Sequence, residues 1–178
     1  MSTETKGDQV ITLRPVELGD HDFLVEIYAS TRADELAIVP WTNEQRQLFI
    51  NSQFSAQQNH YAQKYPTATH DIILANGKQV GRLYMARLDE EIRIVDLTVL
   101  PAERGNGIGS YLLRGLLEEA QQNSKVTRIY VEEFNPSLEL FKRLGFNIKA
   151  QHGVHVLMEW APTFELKGPE LSLSDCED

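Results

Sequence analysis

The amino-acid sequence predicts one mixed α/β (α+β) domain: a mostly antiparallel sheet with one parallel step in it and helices on both faces. Three observations predict this. Residues 72–75 and 80–88 are apolar runs joined by Asn76-Gly77, and a type I′ hairpin turn needs positive φ at both central positions, which Asn-Gly supplies. Residues 92–99 follow as another run of period two, which completes a three-stranded meander. Ile108, Leu112, Leu116 and Ala120 then recur at spacing four ahead of a further strand at 128–132. A helix joining two neighbouring strands makes them parallel through a right-handed crossover.

The other elements follow in order. Val10, Thr12 and Arg14 alternate with Ile11 and Leu13 before Pro15, so the domain opens on a strand of about six residues. Asp20 is placed to cap the next helix, whose apolar face is Phe23, Leu24, Ile27 and Tyr28. Thr42 and Gln45 spell a capping box for a second helix, buried through Leu48, Ile50, Phe54 and Tyr61. In the strand at 92–99, strict alternation sets Val95, Leu97 and Val99 on one face and Ile92, Ile94, Asp96 and Thr98 on the other. A short helix at 136–144 and two strands at 146–151 and 154–160 close the domain.

Length and composition bound the function. The 178 residues are 42% hydrophobic and 24% charged, enough for one domain with its own core and unlike a disordered chain. Residues 1–161 are assigned to that domain and 162–178 to an acidic, flexible tail. Net charge is −9, but five acids stand against one lysine after Trp160, so the domain itself is only mildly acidic. Nucleic acid is therefore not an expected partner, and cationic acceptors are favoured. No apolar run approaches membrane-spanning length and the first nine residues are polar, so no membrane partner is expected and the cytoplasm is the expected location. Cys176 is the single cysteine, with no disulfide partner and no base beside it. His152 and His155 do not have metal-ligand spacing, and no metal is expected.

The most informative stretch is Pro101-Ala102-Glu103-Arg104-Gly105-Asn106-Gly107-Ile108-Gly109-Ser110, between a strand and the long helix. Glycine lets backbone approach a ligand closely, and the first turn of a helix offers unpaired N–H groups at the positive end of its dipole. A phosphate, most simply a pyrophosphate, fits there. A nucleotide loop needs Gly-Lys-Ser/Thr, and a dinucleotide loop needs G-x-G-x-x-G tight against the strand; neither pattern is met, since Ser110 stands at the last glycine position.

Arg104, Gly107 and Gly109, following Val99 and Pro101, match the signature R/Q-x-x-G-x-G/A after V-x-P. Downstream, Asn135-Pro136 and Leu140-Phe141-Lys142-Arg143-Leu144-Gly145-Phe146 match N-P-x-x-x-L-Y-x-x-L-G-F. On these motifs the chain resembles the GNAT acetyltransferases. The resemblance implies acetyl-CoA as cosubstrate and a fourth strand splayed from the fifth, whose backbone at Leu97, Thr98 and Val99 pairs with the pantetheine arm. It implies that N–H groups over Arg104, Gly105, Asn106, Gly107, Ile108, Gly109 and Ser110 hold the pyrophosphate. Asn135 and Phe141 become cofactor contacts, although Asn135 serves equally well as the cap of the helix after Pro136.

The activity so implied is transfer of an acetyl group to a primary amine of a small molecule or peptide by direct attack in a ternary complex, with a homodimer as the candidate assembly. The alternative is a non-catalytic acyl-CoA sensor, because the family's tyrosine is Phe141 here and no base is certain. Asp96 and Glu132 are the candidate bases. Asp96 is expected to point with Ile92 and Ile94, so it is either paired, with Arg82 or Arg93, or raised in pKa. Glu132 ends its strand at the splayed region. Tyr130 or a water stands in for the missing phenol, unless the thiolate leaves unaided. Tyr28, Arg32, Trp41, Arg82 and Tyr84 are the candidate acceptor pocket, with core packing and surface charge as the plainer reading.

Overall fold

The computed structural model describes residues 9–163, so nearly all of the expected tail lies outside the described residues. In chain order the elements are β1 (Ile11–Pro15), a 3-10 turn (Leu18–Asp20), α1 (His21–Ala37), α2 (Asn43–Lys64), β2 (Thr69–Ala75), β3 (Lys78–Arg87) and β4 (Glu91–Val99). A second 3-10 turn (Pro101–Glu103), α3 (Ile108–Gln122), β5 (Val126–Glu132), α4 (Ser137–Arg143), β6 (Asn147–His152) and β7 (His155–Trp160) complete them. The expected hairpin turn is present, with φ of 50° at Asn76 and 80° at Gly77. The capping box of α2 is closed in both directions: Thr42 Oγ1 accepts from Gln45 N at 3.2 Å and Gln45 Oε1 from Thr42 N at 2.9 Å.

The strands form one mixed sheet in the order β1-β2-β3-β4-β5-β7-β6. Only β4 and β5 run parallel. Each face carries its own core. On one face α3 presents Leu112, Leu113, Leu116, Leu117 and Ala120 to Leu83, Ile92, Ile94, Ile129 and Met158, and Phe141 of α4 joins them. On the other, α1 and α2 lay Leu24, Val25, Tyr28, Leu36, Ile50 and Phe54 against Ile72.

Three sequence expectations need correction. Leu48 is 72% exposed, not part of the α2 core face, because the face of α2 turned to the sheet runs through Ile50, Phe54, Gln57 and Tyr61. Asp20 occupies the N-cap position of α1, but its carboxylate does not cap that helix. It accepts from Glu17 N at 2.8 Å, from Gln79 Nε2 at 2.7 Å and from both terminal nitrogens of Arg14 at 2.7 Å, binding β1, the first turn and β3 together. The third correction concerns β4. Tyr84 pairs with Asp96 while Met85 pairs with Ile94, so Val95 is an extra residue in a β-bulge. The bulge reverses the alternation. Ile92 and Ile94 face α3 together with Leu97 and Val99, whereas Asp96 faces the α2 side with Tyr84, its partner on β3.

Candidate functional site

The bulge stands beside the parting of two strands. Parallel pairing of β4 with β5 runs only from Glu91↔Val126 to Ile94↔Ile129. Past that point β4 stays on β3 through Gly81↔Val99, while β5 pairs with β7 as far as Glu132↔His155. Residues 95–99 are all half-buried, as expected for a strand with one open edge. A seam therefore opens beside Leu97, Thr98 and Val99, where the β4 edge turned away from β3 has no strand partner.

At the head of this seam lies the glycine loop. Gly105 and Gly107 have φ of 82° and 79°, a region costly for other residues, and Gly107 is the N-cap of α3. No side chain caps α3, so the N–H groups of its first turn face outward without intrahelical partners. Gly109 serves a different purpose: a Cβ there would lie 3.4 Å from Leu140 Cδ2, at the packing contact of α3 with α4. Ile108, buried in the α3-side core, anchors the loop. Two side chains of the loop bond back to its own backbone: Arg104 Nε donates to Val99 O at 2.9 Å and Asn106 Nδ2 to Glu103 O at 3.3 Å. Lys78 Nζ holds Glu103 at 3.0 Å from the β2–β3 hairpin.

Asn135 Oδ1 accepts from Ser137 N at 2.9 Å, so its side chain closes the first turn of α4. Phe141 is 3% exposed and edge-on to Phe146 at 5.3 Å, a core residue with no phenol to offer.

The two candidate bases have different surroundings. Asp96 is 12% exposed; its Oδ2 accepts from Arg82 Nη2 and its Oδ1 from Thr98 Oγ1, each at 2.6 Å. Glu132 is 48% exposed and faces solvent at the open end of β5, with His155 Nε2 3.8 Å away. Tyr130, one step down the same face, is exposed too, with the Arg93 guanidinium 5.4 Å from its ring centre and the His152 ring at 5.9 Å. Other cations on this sheet face are matched: Arg93 with Glu91, Arg128 with Glu91 and Glu159, Lys149 with Glu159.

The residues proposed for an acceptor pocket divide. Tyr28, Arg82 and Tyr84 are buried beneath α1 and α2: Tyr28 tilts against Phe54 at 5.9 Å, and Tyr84 lies between Tyr61 at 5.3 Å and His70 at 4.6 Å. Arg82 has 1% of its side chain exposed and spends Nη2 on Asp96 and on Gln57 Oε1. Burial pushes the Tyr61 and Tyr84 phenols up and, with the Arg82 charge, pushes the His70 imidazole down to about 4. Arg32 lies over Tyr28 and pairs with Glu35 at 3.1 Å. Trp41 lies tilted against Phe49, ring centres 5.1 Å apart, where α1 meets α2. Since Gln57 meets Arg82 and Tyr61 meets Tyr84, α2 descends from the Val99 end, which places Trp41 at the end of the sheet where the seam opens. His155, which the sequence puts in a hairpin without a partner, becomes a neighbour of Glu132 only through β5–β7 pairing.

A model of the acetyltransferase (GNAT) family matches residues 26–146, which include α2, the bulged β4, the glycine loop and α4. The chain belongs to the GNAT acetyltransferase family. Solved structures agree on the fold. The PaiA N-acetyltransferase of Thermoplasma acidophilum in complex with coenzyme A is 18% identical, with TM-score 0.64 over 85% of this chain and 98% of that one. The ribosomal-protein-S18-alanine N-acetyltransferase of Escherichia coli is 18% identical, with TM-score 0.57 over 90% and 98%. An acetyltransferase of Streptococcus agalactiae is 17% identical, with TM-score 0.57 over 85% and 98%. At these identities the likeness shows the fold. No curated protein sequence matches the chain. Among the described residues no helix is long and apolar enough to cross a membrane, and no cluster of three metal-ligating side chains occurs.

Proposed function

We propose that this GNAT protein transfers the acetyl group of acetyl-CoA to a primary amine of a small molecule or peptide, in a ternary complex. The observation that carries the reading is the open seam of β4 with the uncapped α3 N-terminus at its head. The fit rests on two features of the chain itself. Positive φ at Gly105 and Gly107 shapes the loop into the uncapped α3 N-terminus, where an anion is favoured, and the β4 edge beyond Ile94, which has no strand partner on the β5 side, suits an extended amide-bearing arm. N–H groups from Arg104 to Ser110 hold the diphosphate, and Leu97, Thr98 and Val99 pair with the arm. Bound acetyl-CoA supplies an activated acyl group and a thiolate leaving group.

The acceptor must lose a proton to attack. Glu132 takes that role: it is open to solvent at the seam's end, while both oxygens of Asp96 are engaged. Main-chain N–H groups of β4 stabilise the oxyanion. Tyr130, exposed on the same face as Glu132, or a water donates to the thiolate, since Phe141 is buried and has no hydroxyl. Trp41 and Arg32 border the acceptor's path, and Tyr28 and Tyr84 form the floor behind them.

A panel of amines assayed for thiol release tests the reading. Turnover with at least one primary amine is expected; tight acetyl-CoA binding with no turnover on any amine replaces it with an acyl-CoA sensor, which the buried Phe141 favours.

A further inference from the structure

Two neighbouring parallel strands with free edges can pair by closing on each other. Something must hold them apart. On the far side β5 is fully paired with β7 through Glu132. The holding of β4 comes from three features of its pairing with β3. The bulge at Val95 shifts the register of everything beyond it. Gly81 has no Cβ where one would stand 2.4 Å from Thr98 O and 3.2 Å from Val99 Cα, so β4 lies closer to β3 than any side chain would permit. The third feature is Arg82, which is directly opposite Thr98 but reaches past it to Asp96, while Thr98 Oγ1 donates to the other Asp96 oxygen. Gln57 of α2 accepts from the same Arg82 nitrogen at 2.7 Å, so the link is braced from the helix.

We propose that Arg82 is a positioning residue, holding the distal half of β4 on β3 so that the seam stays open for the thioester arm of the acyl carrier. The proposal rests on the acetyl-CoA reading above. Stability alone does not account for Arg82. Its Nε and Nη1 are buried and find no partner among the described residues, and a buried guanidinium in that state costs more than an apolar side chain of its size. A side chain placed at such a cost, between the bulge and the close approach at Gly81, sets where β4 runs. Without it Asp96 has no countercharge, and residues 96–99 are free to swing toward β5.

Arg82→Met tests this in the full chain, with CoA itself as the probe in titration calorimetry. The expected result is a Kd for CoA raised at least tenfold at unchanged stoichiometry, with KM for acetyl-CoA raised in step. A merely structural role lowers the folded fraction, which reduces the stoichiometry and kcat and leaves Kd where it was. Should Arg82→Met fail to fold, Arg82→Lys keeps a charge for Asp96 but cannot serve Gln57 and Asp96 in the same way, and a smaller rise in Kd is expected. A folded variant of either kind that binds CoA within twofold of the unaltered protein overturns the proposal. Absence of CoA binding by the unaltered protein instead removes the acetyl-CoA reading, and the proposal with it.

Discussion

Glu132 and His155 stand directly opposite each other on β5 and β7, with His155 Nε2 3.8 Å from Glu132 Oε1, on the exposed face beside the seam. This leaves Glu132 held near the end of its strand and still reachable by an acceptor. Glu132→Gln keeps the shape and removes the basicity. Because a positioned base contributes about a hundredfold or more to such a step, kcat is expected to fall by about that factor with CoA affinity unchanged. A fall of less than about threefold in steady-state kinetics takes Glu132 out of the role.

Gly107 separates backbone strain from charge. Gly107→Ala imposes only the strain of φ near 79° on an L-residue, about 1–2 kcal/mol. Gly107→Glu adds a carboxylate to the α3 N-terminus, which under the proposed acetyl-CoA reading competes with the diphosphate for the same N–H groups. Calorimetry is expected to show weakened CoA binding for Ala and none for Glu; equal affinity in both variants contradicts the cradle.

The close approach at Gly81 predicts that Gly81→Ala both destabilises the fold and narrows the seam. A Cβ 2.4 Å from a backbone oxygen forces β4 outward, with an overpacking cost of about 1–3 kcal/mol. Thermal melting and CoA titration are expected to move together. Loss of stability with full CoA affinity means that β4 yields in some direction other than toward β5.

Stability is expected to decline as the pH drops through mild acid, partly because of His70. Its imidazole, pushed down to about 4 by burial and by the Arg82 charge, stays neutral in the folded chain, whereas the unfolded chain protonates it below about pH 6.5. The unfolded state therefore binds the extra proton between those values. Stability is complete above the upper one and declines as pH falls toward the lower. His70→Gln is expected to flatten this part of the Tm-against-pH curve; an unaltered slope shows that other groups cause it.

Asp20 acts lower on the pH scale. The Arg14 guanidinium holds its carboxyl well below the usual carboxylate range, against the opposing effect of burial. Its contribution is present above about pH 4 and is lost as pH falls below that value toward the depressed folded pKa. At neutral pH, Asp20→Asn is expected to lower Tm by several degrees, and the gap from the unaltered protein is expected to narrow steadily as pH falls below about 4. A gap independent of pH means that packing, not charge, explains the loss.

Much of the architecture was legible in residue order. The hairpin at Asn76-Gly77, the capping box at Thr42 and the spacing-four stripe of α3 each depend on neighbours within a few positions, and each stands where expected. The glycine loop was legible for the same reason. Asp96 was misplaced because alternation along β4 takes no account of a bulge, and the extra residue at Val95 is defined only against β3. Arg82 offered itself equally to an acceptor or to Asp96, and its burial under Gln57 decided where its charge is spent.

The sequence by itself determined the kinds of element, the glycine loop between β4 and α3, and the family that its motifs resemble, because local geometry and short-range spacing specify all of these. Tertiary structure alone decided which carboxylate remains open and which is bound, that His155 lies beside Glu132, and that β4 stays with β3 where it leaves β5. Those outcomes depend on strands distant in the chain meeting in one register, and a shift of a single residue in that register turns a side chain from one face of the sheet to the other.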